Sequence, residues 1–385
     1  MKKKSKVSQK LPFECIALVL QGGGALGAYQ AGVYEALAES GVYPNWVAGI
    51  SIGAINAAII AGNAPEERVE KLRGFWNAVT AKPWQDWTGL STMLSPRGTL
   101  ARSLFNRMSA GYTLFAGAPD FFELRAINPF LQPDGTVEAT SYYDTSALKN
   151  TLERFVDFDR INRQEIRFSV GSVNIRTGNF IYFDNTRYQI RPEHIIASGS
   201  LPPGFAPTEI EGEYYWDGGL ISNTPLEWVI DGEVRQDTLA FQVDLWNARG
   251  ELPQNLSEVM TRQKEIQYSS RTRAATNHFK RVQSVRNALA NLIEKLPKEL
   301  KKSNEVALLE KVADHKVYNI VQLIYRAKQY EIHSKDYEFS RLTMQEHWQA
   351  GYHDVLHTLK HSQVLERPNN PEGVFTFDIL RDGEH

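Results

Sequence analysis

The sequence predicts an α/β fold with a largely parallel central sheet, followed by a mainly α-helical C-terminal region. Two observations carry this. Over the first sixty residues, short continuous apolar runs alternate with helical periodicity, as when strands buried on both faces are joined by helices. From about Leu256 helical patterns dominate to about Leu359, and glycine nearly disappears. The 385 residues are 42% hydrophobic and 23% charged, which excludes a largely disordered chain. That length allows roughly two to three domains. With 43 basic and 45 acidic residues the net charge is −2, so the chain as a whole is no polycation directed at nucleic acid. A single cysteine, Cys15, excludes a disulfide within the chain and suits a reducing compartment; a cytoplasmic location is expected from the lack of a credible export signal. No stretch approaches the ~20 apolar residues of a membrane span.

Residues 1–13 read as a flexible basic tail, with Lys2, Lys3, Lys4, Lys6 and Lys10. The tail and Cys15–Leu20 share features with a signal peptide. However, the apolar run is short, flows into glycines and lacks a small-residue cleavage site. Cys15–Leu20 is instead taken as the first strand of a domain spanning 14–250. Leu26–Glu39 has Leu26, Tyr29, Val33 and Leu37 at helical spacing, with Gly41 as its stop. Trp46–Ile50 is a second strand, and Ile52–Ala61 is a helix of small residues suited to close packing on a sheet. Residues 81–145 read as a loop-rich insertion, a lid or a binding loop, with large apolar groups from Trp84, Trp87, Met93 and Leu94 to Phe121, Phe122 and Phe130. The alternative is a satellite core under long loops. Strand signals return at Ile166–Asn174 and Asn179–Phe183, joined as a hairpin by Arg176-Thr177-Gly178, and again at Leu239–Leu245. A boundary near Asn247–Gly250 opens the helical region, 251–385.

Three signatures carry chemistry. Gly22-Gly23-Gly24-Ala25-Leu26-Gly27 follows a strand and opens a helix. A G-x-G-x-x-G turn serves dinucleotide binding, but the acidic residue expected at the end of the second strand is absent. The other use of such a turn is an oxyanion hole, whose backbone N–H groups face a developing negative charge. Gly49-Ile50-Ser51-Ile52-Gly53 matches the G-x-S-x-G elbow between a strand and a helix, with Gly49 and Gly53 removing side chains that would clash across the turn. Its alternative is a structural turn with Ser51 as helix N-cap. The third is Asp217-Gly218-Gly219, followed by Asn223-Thr224-Pro225. A serine nucleophile needs a base. Of nine histidines only His194 precedes residue 278, and none has the flanks of a catalytic loop. Asp217 can be that base, or the first residue of an ordinary Asp-Gly turn.

Together, and in this order, these signatures resemble the patatin-like phospholipases over about residues 14–230. Ala197-Ser198-Gly199-Ser200-Leu201-Pro202 also resembles the family segment that precedes the aspartate loop. The resemblance implies a three-layer fold and a lipid acyl hydrolase with a Ser–Asp dyad and an acyl-enzyme intermediate. By position, Ser51 would be the nucleophile and Asp217 the proton acceptor. The Gly22, Gly23 and Gly24 turn, with Gly27, would form the oxyanion hole. No metal and no cofactor is implied. Many family members carry Arg or Lys where this chain has Leu26. Rival readings are a silent scaffold or membrane-surface protein that keeps the fold, and a small-ester or thioester hydrolase using a histidine such as His194, His353 or His357.

Between Arg262 and Lys302 eleven basic residues face three acidic ones, with Phe279, Val282, Val285, Leu289, Leu292 and Ile293 at helical spacing. This pattern suits peripheral contact with an anionic membrane, or a packed helix with a solvated basic face. His353, His357 and His361 share one helical face without a surrounding zinc motif, and read as packing or surface residues. The expected partners are thus a lipid substrate and a membrane surface, with no nucleic acid. A homo-oligomer is left open.

Overall fold

The computed structural model describes residues 11–80, 98–232, 234–270, 272–328, 330–331 and 333–382. The lysines of the basic tail, Trp84, Trp87, Met93, Leu94, Arg271 and His385 lie outside them. The strands are β1 (Cys15–Leu20), β2 (Trp46–Gly49), β3 (Glu123–Leu124), β4 (Tyr143–Asp144), β5 (Arg167–Asn174), β6 (Phe180–Asp184), β7 (Thr208–Ile210), β8 (Glu213–Asp217), β9 (Thr238–Asp244), β10 (Tyr318–Ile324) and β11 (Val374–Phe377). The helices are α1 (Ala28–Glu39), α2 (Ile52–Ala61), α3 (Arg68–Val79), α4 (Thr99–Ala116), α5 (Ser146–Phe155), α6 (Phe158–Asn162), α7 (Pro192–Gly199), α8 (Leu226–Ile230), α9 (Leu256–Tyr268), α10 (Thr272–Lys295), α11 (Asn304–Glu310), α12 (Arg341–Thr358) and α13 (Ile379–Asp382).

The main sheet runs β11-β10-β9-β1-β2-β5-β8-β7, with β6 also on β5. Every pairing from β11 to β5 is parallel; β6, β8 and β7 are antiparallel. Alternation along the strands splits the interior into two cores. Leu18, Leu20, Phe241 and Val321 face α1, α2 and α12; Cys15, Ala17, Val19, Ala240 and Ile320 face α8 and Phe279 of α10. Helix, sheet and helix make the three layers.

The expected hairpin is β5–β6, with Gly178 at φ +69° in its turn. Two expectations change. The region after 250 is helical for the most part, but it also supplies β10 and β11, which extend the main sheet from β9. The expected boundary therefore falls inside one continuous sheet. β10 is buried along nearly its whole length, Asn319 and Gln322 included, so its sequence carries no alternation to separate it from a buried helix. The insertion is also less loop-like than expected: 99–116 form α4, and β3 pairs with β4.

The C-terminal region is bound to the first helix as well. α12 crosses α1 where Gly32 meets the Trp348 carbonyl and Gly351 meets the Tyr29 carbonyl; a Cβ at either glycine would come within 1.9–2.0 Å of that oxygen. Tyr29 Oη donates to Asp354 Oδ2 at 2.7 Å across the same crossing. The expected basic helix, α10, packs Phe279 edge-on against Tyr318, with ring centroids 4.8 Å apart, and pairs Arg286 with Asp231. His353, His357 and His361 stand exposed along and just beyond α12. Among the described residues no cluster of three or more His, Cys, Asp or Glu side chains is placed to hold a metal, and no helix is long and apolar enough to cross a membrane.

Candidate active site

The site lies at the carboxyl ends of the parallel strands, where open α/β sheets bind ligands. β1 runs out into the glycine turn, β2 into Ser51, and β9 into Leu245 and Trp246. β5 sets the spacing along one edge. Gly49 of β2 lies opposite Val170, and Asp217 of β8 lies opposite Ser172. The elbow and the aspartate loop are thus neighbours along one strand, although they are far apart in sequence.

Ser51 occupies φ 55°, ψ −124°, a conformation that non-glycine residues rarely adopt, and such strain persists only where surroundings impose it. Here they do. A Cβ on Gly49 would come within 2.2 Å of the Gly53 carbonyl, and one on Gly53 within 2.3 Å of the Leu20 carbonyl. The Ser51 N–H donates to Ser198 Oγ at 3.0 Å, and the Ser198 hydroxyl in turn donates to the Gly171 carbonyl at 2.7 Å. Ser51 precedes α2 at the N-cap position, yet its side chain makes no capping bond. The hydroxyl instead shares the cavity with the Asp217 carboxylate, whose pKa it lowers as a neighbouring donor.

Asp217 is buried, and loss of solvent pushes its pKa from 3.8 up to about 7, against the lowering effect of the Ser51 hydroxyl and the Gly219 N–H. The Gly219 N–H donates to Asp217 Oδ1 at 2.7 Å, so the Asp-Gly turn exists as well and fixes the carboxylate. Gly218 packs against the Gly171 carbonyl, and Gly27 against Ile52.

Of the N–H groups in the glycine turn, those of Gly23 and Gly24 are the ones left open. The Gly22 N–H is taken by the Asn223 carbonyl at 3.3 Å and that of Ala25 by the Asp336 carbonyl at 2.8 Å. The N–H groups of Gly23 and Gly24 have no acceptor among the described residues, and both residues line the cavity. Gly24 has φ +55°, and a Cβ there would lie 2.1 Å from the Asp336 carbonyl oxygen. Leu26 is fully buried.

The cavity over Ser51 and Asp217 has a volume of about 430 Å³. Ile52, Ile55, Phe121, Phe122, Phe205 and Phe339 form an apolar side, the four phenylalanines in ring contact with one another. Two of the aromatic residues singled out in the insertion, Phe121 and Phe122, thus shape the cavity, whereas Phe130 is exposed. Trp246, Lys264, Tyr268, Asp336 and Tyr337 line the cavity as well. Lys264 Nζ is 2.8 Å from both Asp336 carboxylate oxygens and 3.1 Å from the His333 carbonyl. No histidine is among the lining residues; His194 is buried elsewhere, and burial lowers its pKa.

Sequence reasoning missed two groups. Gln21 is fully buried; its Oε1 accepts the N–H groups of Leu245 and Trp246, and its Nε2 donates to Thr224 Oγ1 and the Tyr268 carbonyl. A polar residue ending an apolar strand beside the glycine turn was a signal for it. Lys264 and Asp336 carried none, because only the fold brings them to the turn.

A serine held on a strained strand-to-helix elbow, facing a buried carboxylate beside two free N–H groups, is an arrangement that can attack an ester carbonyl. The family follows from the sequence: a model of the patatin-like phospholipases matches residues 18–230, more than half the chain, and the chain belongs to that lipid-hydrolase family. A second model, described as patatin phospholipase, matches residues 266–371. Among known proteins the chain is 26% identical over 223 residues to patatin-like phospholipase domain-containing protein 7 of Mus musculus, and 38% identical over 224 residues to that of Rattus norvegicus. Each match covers 58% of this chain but 13% of the relative. VipD from Legionella pneumophila aligns over 100% of this chain and 77% of its own at 16% identity, with a TM-score of 0.38.

Proposed function

We propose that this protein is a serine acyl hydrolase that cleaves carboxylic esters of lipids through Ser51 and Asp217. One observation carries the reading: Ser51, strained on its elbow, and the buried Asp217 carboxylate, whose pKa burial pushes up to about 7, line the same cavity. A base of that strength is matched to removing a serine proton near neutral pH.

Asp217 takes the Ser51 proton as Oγ attacks the ester carbonyl carbon. The carbonyl oxygen becomes an oxyanion held by the N–H groups of Gly23 and Gly24; one such donor is typically worth about 10²–10³ in rate. The carbon–oxygen bond to the alcohol breaks, and the departing alkoxide takes the proton from Asp217. Water then gives a proton to the same carboxylate and attacks the acyl-serine. The fatty acid leaves and Ser51 recovers its proton. The phenylalanine side of the cavity suits the acyl chain, and the Lys264–Tyr268 side the alcohol. The single buried cysteine accords with a reducing compartment, and we assign the protein to the cytoplasm.

Labelling with a fluorophosphonate probe, followed by mass mapping, tests this. The adduct is expected on Ser51 and is lost in Ser51→Ala and Asp217→Asn, which stay folded and lose ester hydrolysis. Full activity in either folded variant sinks the dyad.

A further inference from the structure

α4 is folded with its polar stripe inward. Arg102, Asn106, Ala110 and Thr113 are buried, whereas Leu100, Leu104, Met108, Tyr112 and Phe115 are each at least 54% exposed. Both stripes follow helical spacing, so they run along opposite faces of the helix. The inward face is anchored: Arg102 Nη2 donates to Thr343 Oγ1 at 3.0 Å and to Glu346 Oε2 at 2.9 Å. A helix bathed only in water is turned the other way, with the apolar stripe on the core. Large apolar rows on a surface mark contact sites.

Three further features identify the occupant. The row ends at the cavity mouth: Leu114 lines the cavity, and its neighbour Phe115 is 78% exposed. Tyr143 Oη fixes that end by donating to the Leu114 carbonyl at 2.9 Å. The helix contains no Asp or Glu, and Arg107 stands exposed beside Met108. An apolar row with a cation and no anion is the pattern of a helix lying in a lipid interface.

We propose that the outer face of α4 docks on a phospholipid surface and seats the cavity mouth against it. The proposal rests on reading the cavity as a lipid-ester site. It places the docking face on α4 rather than on 262–302, where Phe279 and Ile293 are buried and Arg286 is paired with Asp231.

The test uses the full chain with vesicles of phosphatidylcholine, alone or mixed with phosphatidylglycerol. Wild type is expected to float with the mixed vesicles. The triple variant Leu100→Glu, Leu104→Glu, Met108→Glu loses about tenfold or more in partition, since it replaces three apolar side chains of the docking face with charges. It keeps wild-type hydrolysis of a short water-soluble ester. A polarity-sensitive dye on Met108→Cys shifts to the blue only when vesicles are added; Cys15 is buried and does not compete.

Four results overturn the proposal: no flotation of wild type, equal flotation of the triple variant, a dye already shielded without vesicles, or flotation lost only on neutralising Lys295, Lys298, Lys301 and Lys302. A shielded dye means that another part of the chain or a second copy covers the face, and its dependence on protein concentration says which. Wild type that floats but neither hydrolyses the soluble ester nor takes the Ser51 label overturns the enzymatic reading and leaves the docking face standing.

Discussion

Residues 15–62 and residues 251–382 both build the cavity, by opposite means. The first segment supplies chemistry through local geometry. β1, the glycine turn, α1, β2 and the serine elbow follow one another, and Gly27 and Gly49 sit where the elbow comes close. The second segment supplies walls and restraint through contacts across the fold. Asp336 holds the Ala25 N–H, Tyr268 accepts from Gln21 and Asn223, and α12 lies in the glycine notch of α1. The C-terminal region is therefore part of the site, and a nucleophilic elbow alone is half of it.

The sharpest way to break this comparison is where Gly24 and Asp336 of the two segments meet beside the candidate oxyanion hole. Gly24→Ala puts a Cβ 2.1 Å from the Asp336 carbonyl at a φ of +55°. Either the turn or the 333–339 segment must move, and kcat is expected to fall by about 10²–10³, the effect of losing an oxyanion donor. Circular dichroism should stay native. Activity within threefold of wild type would mean that the C-terminal segment yields freely and restrains nothing.

The difference also explains what the sequence made legible. The Ser51 elbow and the glycine turn could be read because their signature residues lie within five positions of each other, although Leu20, Ser198 and Asp336 complete their geometry. Asp217 needed the family's order of motifs, since a lone Asp-Gly is an ordinary turn, and the register of β5 that brings it to Ser51 has no local signature. β10 was hidden by its own burial. Lys264 and Asp336 were read only as members of a charged, helical tail. Which N–H groups of the glycine turn stay open was not legible, because nothing in the sequence says that the Asn223 carbonyl takes that of Gly22.

A smaller effect is expected one contact further out. Lys264 touches no reacting atom; it is a positioning residue that clamps the Asp336 carboxylate and the His333 carbonyl. Lys264→Met should lower kcat about tenfold, as slight misplacement of a site does, with KM for a short soluble ester nearly unchanged. Lys264→Arg, which keeps the charge, should recover most of the loss. Unchanged kcat in Lys264→Met would show that the 333–339 segment keeps its place without the clamp.

The mildest perturbation is pH, and it acts on the middle of the chain rather than on either segment. Asp217 must be ionised to take the Ser51 proton, so kcat/KM should rise about tenfold per pH unit below 7 and level off above it. Stability runs the other way. The folded-state pKa, about 7, lies above the unfolded value near 3.8, so the folded protein holds this proton more tightly. The stability this confers is fully present below about pH 4 and is lost as pH rises to about 7. Two other buried carboxylates titrate below this window: Asp184 and Glu331 are held below the usual carboxylate range despite burial, by hydrogen bonds from Thr186 and Ser169 in one case and by His347 in the other. Their contribution has the opposite sign, so the measurement is the difference between wild type and Asp217→Asn. Urea midpoints at pH 4.5 and 7.5 should show wild type losing stability relative to Asp217→Asn as pH rises. An equal change in both proteins would mean that Asp217 titrates like an exposed carboxylate, and that the site lacks the near-neutral base on which its chemistry depends.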